Sequence, residues 1–150
     1  MQTEIKNEWT YAQPPNKVWE YLTNAELLAL WLMPNNIKPI AGYEFQFTTK
    51  PIPSLDLDGI FHCTIIEMIP FQKLIYTWKG GSGNGIFTLD TIVEWTVEKN
   101  GSGTRLLLRQ TGFKEVNISI FNAMTSGWNS NIEKMIKFLN TDNNDNKHSA

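Results

Sequence analysis

The residues with the most chemistry to offer are His62 and Cys63, the carboxylates Glu67 and Glu94, and the run Gly81-Ser-Gly-Asn-Gly. A metal centre needs ligands that converge on one point. His62 and Cys63 are neighbours in an apolar strand and face opposite sides of a sheet, and the other histidine, His148, lies in a polar tail. No metal and no cofactor is therefore expected. Cys63 as a nucleophile needs a base and an electropositive setting; with Phe61 and Ile65 on its strand face it reads instead as a small buried hydrophobe. Glu67 and Glu94 sit between apolar neighbours, where a carboxyl group is a candidate general acid or base, but each also reads as half of a surface ion pair. The glycine-rich run resembles a phosphate-binding loop only in composition. Phe87 onward reads as strand, so the helix whose N-terminus would hold the anion is missing.

These side chains must be placed by larger elements, and one helix dominates. From Val116 to about Asn140, Ile118, Phe121, Met124, Trp128, Ile132, Met135 and Leu139 recur at steps of three and four. That spacing puts them on one stripe, which must be buried. Gly127 within this stretch suggests a close backbone approach or a slight bend. The middle of the chain alternates as strands: Glu4–Tyr11, Tyr43–Thr49, Gly59–Ile69, Lys73–Lys79, Leu89–Lys99 and Thr104–Gly112. Two short helices fall between the first two strands, one opened by Pro15, the other capped by Asn24 with Pro34 past its end. A turn centred on Asn100-Gly101 predicts a hairpin that pairs Val97 with Thr104 and Trp95 with Leu106. In that register Glu94 lies between Arg105 and Arg109 on a solvated face, and Ile92 and Leu107 form a small apolar patch there. An antiparallel sheet with one apolar side, followed by one long amphipathic helix, predicts an α+β layer.

Composition sets the outer limits. The 150 residues suit one domain spanning 1–140, with a polar, frayed tail at 141–150. Aromatic residues at 12% against charged residues at 19% favour a folded chain. A net charge of −2 with scattered Lys and Arg argues against nucleic acid as a partner. The longest apolar run, Leu27 to Met33, is far short of a bilayer span, and the N-terminus lacks a secretory signal pattern. With a single cysteine, these features predict a cytoplasmic protein with no membrane partner.

Several segments together resemble a known family. They are Ala12-Gln-Pro-Pro-Asn-Lys-Val-Trp, Thr23-Asn-Ala-Glu, Leu30-Trp31, Gly42, Ile66-Glu-Met-Ile-Pro followed by Leu74-Ile-Tyr-Thr-Trp, Gly103-Thr-Arg-Leu-Leu-Leu, Gly112-Phe113 and Gly127-Trp128. In order and spacing they are similar to the START-like (Bet v-type, SRPBCC) domains of the heat-shock-protein ATPase activator homologue branch. The resemblance implies a helix-grip fold: a curved antiparallel sheet around a long C-terminal helix, two short helices at one end, and an apolar cavity between. The chain departs from the pattern at Ala41, at Leu32 and at Cys63, where glycine, tryptophan and glycine are frequent. The resemblance does not extend to the additional N-terminal domain of the eukaryotic co-chaperones, so their partner contacts are not expected to transfer directly.

Three function classes follow. The first is binding of a small hydrophobic molecule between sheet and helix. Trp31, Trp78, Trp95 and Trp128 either fill or line that space, with Phe61, Leu108 and Met124 as further walls and Tyr76 and Gln110 as orienting polar groups. The second is a chaperone-cofactor type of interaction module or homodimer, using Ile92 and Leu107 on the outer face. The third is an enzyme acting on a hydrophobic molecule in the same cavity, with Glu67 as its acidic candidate.

Overall fold

Alternation sets the strands, and their inner faces set where the helix goes. The computed structural model describes the backbone of residues 3–149 and the side chains of residues 3–141. Among these, β1 (Glu4–Tyr11), β2 (Glu44–Thr48), β3 (Ile60–Ile69), β4 (Lys73–Gly80), β5 (Leu89–Asn100) and β6 (Gly103–Thr111) form one antiparallel sheet in the order β1-β6-β5-β4-β3-β2. In β4 the side chains of Leu74, Tyr76 and Trp78 are buried and those between them only partly so, the period-two signature of a sheet covered on one side. The cover is α3 (Ile118–Ser149), with α1 (Pro15–Thr23) and α2 (Ala25–Trp31) at one end. Pro15 occupies the first turn of α1, and Asn24 caps α2 by accepting a 3.0 Å hydrogen bond from the Leu27 amide. The result is the helix-grip fold that the sequence predicts. No described helix is long and apolar enough to cross a membrane.

The β5–β6 register differs from expectation by two residues. Asn100 pairs with Gly103, so the turn is Gly101-Ser102, with Gly101 at φ +61°, and Trp95 opposes Leu108 while Val97 opposes Leu106. Because side chains alternate with period two, a shift of two leaves every residue on its expected face. Its neighbours change instead. Glu94 now opposes Arg109 and pairs with Lys73 at 3.6 Å, whereas Arg109 bonds Glu4 at 2.9 Å and Arg105 bonds Glu8 and Glu98. Ile92 opposes Thr111 and Leu107 opposes Thr96, which separates them by four residues along the strand, so the expected outer patch does not form.

The helix begins slightly later than its periodicity suggests. A 3₁₀ turn over Glu115–Asn117 precedes it, and buried Asn117 donates to the Thr88 carbonyl at 2.8 Å. Ile118 is consequently exposed, and Ile120 takes its place on the buried stripe beside Phe121. Trp128, Ile132, Met135 and Leu139 lie against the sheet as expected. The backbone of α3 continues to Ser149; the side chains of the 142–150 tail, His148 included, lie outside the described residues.

Candidate ligand-binding cleft

The interior between sheet and helix contains two kinds of space. Toward the C-terminal half of α3 it is filled. Ile132, Met135 and Leu139 are wholly buried, and the Tyr11 hydroxyl of β1 donates to the Met135 sulfur at 3.6 Å. Further along, an aromatic cluster takes over: Trp95 meets Trp31 and Trp128 edge-on at 6.1 and 5.4 Å, and Trp78 meets Trp128 at 5.7 Å. Rings at these separations are in mutual contact, so the cluster is core and not an empty chamber.

Polar groups inside this core are matched to one another. Trp128 Nε1 donates to Gln110 Oε1 at 2.9 Å, and Gln110 Nε2 donates to Thr91 Oγ1 at 3.0 Å. Trp95 Nε1 donates to the Tyr76 hydroxyl at 3.0 Å, and Trp31 Nε1 to the Tyr21 carbonyl at 2.9 Å. Burial pushes the Tyr76 phenol well above its usual range, which keeps it neutral. Tyr76 and Gln110, expected to orient a ligand, thus hold tryptophans in place.

Beyond Trp128 the packing opens. A cleft of about 240 Å³ lies between the N-terminal half of α3, the end of α2 and the β2–β3 connection. Its α3 wall is Ile120, Ala123, Met124, Gly127, Trp128 and Asn131. Leu32 and Met33 form the side after α2; Ile52, Leu55 and Leu57 come from the connection, and Phe61 and Trp78 from the sheet. A Cβ built on Gly127 would meet nothing within 4 Å, so this glycine does not serve a close backbone approach. Its missing side chain leaves the cleft open. Of the nine residues expected to line a site, Phe61, Trp78, Met124 and Trp128 border the cleft, while Trp31, Tyr76, Trp95, Leu108 and Gln110 are buried outside it.

Five further wall residues lie outside the periodic elements of the sequence. Ile52, Leu55 and Leu57 lie where Pro51 and Pro53 suggest only a loop, and Leu32 and Met33 follow a short helix. Their signal was present: a loop carrying an apolar residue at every second or third position has a surface to cover. Here a 3₁₀ turn at Pro53–Leu55 and the Ile52–Leu57 bridge fold it over the cleft.

The acid, thiol and imidazole candidates sit elsewhere. Glu67 is exposed beyond a register shift in β3, and Glu94 is on the outer face. Cys63 is buried, and burial pushes its thiol far above the usual range, so the nucleophilic thiolate is suppressed. His62 lies on the other face, its ring 5.2 Å from that of Phe87. Among the described residues no group of three or more His, Cys, Asp or Glu is placed to hold a metal ion. A second, larger depression of about 510 Å³ lies on the outer side of the sheet, but Lys6, Glu8, Glu94 and Arg109 line it, and each of these is in an ion pair.

Known structures share this architecture. The chain is 27% identical to protein MLL2253 from Mesorhizobium loti, with a TM-score of 0.81 over 92% of this chain and 97% of that one. It is 22% identical to BH1534 from Bacillus halodurans, with a TM-score of 0.71 and coverage of 92% and 99%. CalU16 from Micromonospora echinospora is 18% identical, with a TM-score of 0.70 and coverage of 91% and 75%. A comparison with curated proteins finds no match. The family model described as Activator of Hsp90 ATPase homolog 1-like protein matches residues 12–140, nearly the whole helix-grip domain, and the chain belongs to that family.

Proposed function

We propose that this protein is a non-catalytic receptor for a small hydrophobic molecule held in the cleft beside Met124, Gly127 and Trp128. The observation that carries the reading is an uncharged opening in an otherwise filled interior. No Asp, Glu, Lys, Arg or His lines it, and Gly127 leaves it unblocked. Its volume is below the ~300 Å³ at which drug-sized sites begin, and above the ~150 Å³ cavity that accepts benzene. Scaling from benzene gives room for ~10 non-hydrogen atoms, with a Kd between about 1 μM and 1 mM at ordinary ligand efficiencies. The absence of charged groups at the cleft argues for binding over acid-base chemistry. The single buried thiol fits a cytoplasmic setting.

Titration with indane, a bicyclic hydrocarbon of suitable size, tests this by NMR. The Met124 methyl and Trp128 indole signals should shift and saturate, and Gly127→Leu, which builds a side chain into the opening, should abolish both changes. Unmoved signals at saturating indane would reject the receptor reading.

A chaperone-cofactor role is the second reading. The family description supports it, as does a group of apolar side chains at one end of the molecule. Ile86 and Phe87 before β5 and Val116 and Ile118 at the start of α3 are all exposed, and the Asn117–Thr88 hydrogen bond ties the two segments together. Addition of the protein to a purified Hsp90-type ATPase should raise turnover, and Phe87→Asp with Val116→Asp should remove the effect. No stimulation by the wild type would eliminate this role.

A further inference from the structure

One side chain of the cleft wall carries a buried polar atom without a partner. Among the described residues, Trp78 Nε1 is the buried side-chain nitrogen or oxygen that lacks a hydrogen-bond partner. Three other core indoles show what is missing: Trp31, Trp95 and Trp128 each donate to an oxygen at 2.9 to 3.0 Å. Trp78 is as deeply buried as these, 1% exposed, and it is also part of the cleft's sheet wall. Its ring neighbours are Phe47 at 4.8 Å, Phe61 at 5.0 Å and Trp128 at 5.7 Å, and none of these side chains carries an oxygen.

An indole N–H is a donor only, and a buried donor without an acceptor is costly to retain. An ordered water is a poor substitute here. A trapped water needs two to four polar partners, and the lining side chains besides Trp78 that could serve are Thr49, which is exposed, and Asn131. An ionised carboxylate would lose its hydration with no cation in the lining to replace it, and a donor-only group such as an ammonium would meet a donor.

On the reading that the cleft is a ligand site, we infer that Trp78 Nε1 is its polar anchor, and that the ligand class is a compact, uncharged, mainly apolar molecule bearing a carbonyl or ether oxygen. The apolar walls supply most of the affinity, and the single N–H selects for the acceptor and fixes its orientation.

Indane and 1-indanone, which share a ring frame and differ by one carbonyl oxygen, separate the two claims. Both should shift the Met124 methyl of the wild-type protein, but only 1-indanone should move the Trp78 indole N–H downfield. The ratio of the two affinities should change about five- to tenfold in favour of indane in Trp78→Phe, which keeps an aromatic ring and removes the donor. Comparing the ratio in the two proteins cancels the different hydration of the probes. If Trp78→Phe does not fold, the wild-type indole signal, assigned through its contacts to Phe61 and Trp128, decides alone. Should 1-indanone shift Met124 without moving the Trp78 N–H, or the ratio be the same in both proteins, the anchor is overturned and the receptor stands. Should neither probe shift Met124, both fall.

Discussion

The two halves of α3 rest on the same sheet and end differently. From Ile132 onward the stripe consists of Ile132, Met135 and Leu139, all wholly buried, with Met135 against Tyr11 of β1. The N-terminal half presents Ala123, half-buried Met124 and Gly127, and faces a gap that a loop closes only in part. Both halves follow the same helical period, so periodicity alone does not distinguish core from cleft. Side-chain volume beside the stripe does: the stripe is large in both halves, but Ala123 and Gly127, which flank it, leave the packing incomplete on the cleft side. The largest test of this contrast is a pair of truncations. Ile132→Ala should cost about 2–5 kcal/mol, because it opens a void in a filled region. Met124→Ala should cost about 1 kcal/mol, since part of that side chain already borders empty space. Denaturation midpoints at constant m measure both, and equal losses would remove the distinction.

The aromatic cluster between the halves depends on Gln110. It is fully buried, accepts from Trp128 Nε1 and donates to Thr91, so it joins α3 to two strands. Gln110→Met keeps the volume and removes the oxygen, which leaves a second indole without an acceptor. The expected loss is about 1–3 kcal/mol, mostly from that stranded donor. A loss below about 0.5 kcal/mol would show that Trp128 finds another acceptor, and would weaken the argument from the unpaired Trp78.

How far the sequence reaches follows the same division. The strands, the two short helices, one opened by Pro15 and one capped by Asn24, and the buried stripe from Phe121 to Leu139 are legible because each is a local period or a local start signal. The β5–β6 register is not, and a comparison of the chain's two Asn-Gly pairs explains why. Asn84-Gly85 has both residues at positive φ, within a turn closed by the Gly83–Ile86 bridge, and is the mirror-image turn that this dipeptide favours. Asn100 stays in β5 instead, and the turn moves on to Gly101-Ser102. The same dipeptide supports both outcomes, and strand pairing decides between them. The candidate site was half legible. Large aromatics on inward positions signal an interior, but which indole finds an oxygen depends on contacts between distant strands, as with Trp95 and Tyr76 or Trp128 and Gln110. The Ile52–Leu57 wall depends on how a loop folds back, which has no period to read.

Gly127 turns the contrast into a milder substitution. Its helical position carries the usual glycine cost, and a Cβ there would touch nothing. Gly127→Ala should therefore raise stability by up to about 1 kcal/mol, read as a higher thermal midpoint, with only a modest fall in indane affinity. A destabilised variant would mean that the helix needs glycine there for a reason other than space.

The smallest effect expected is that of acid, and it separates the halves by charge. On the outer face, β1 is tied to β6 by Arg109–Glu4 and Arg105–Glu8, and these hydrogen bonds hold both carboxyl groups below their ordinary value of 4.5. A folded pKa below the unfolded one means that the unfolded chain binds the proton more readily. The stabilisation is thus complete above about pH 4.5 and is lost as the pH falls through the depressed values. Glu8 is exposed and Glu4 half-buried at the sheet surface, so the loss is small and shrinks further at 1 M salt. β1 touches α3 at Asn129 and Met135, neither of which lines the cleft, and the cleft lining contains no titrating group. Stability should therefore decline below pH 4.5 while the indane affinity of the molecules still folded stays constant. An affinity that followed the same acid limb would show that the cleft takes its shape from the β1–β6 edge, and that the two halves of the helix act as one unit.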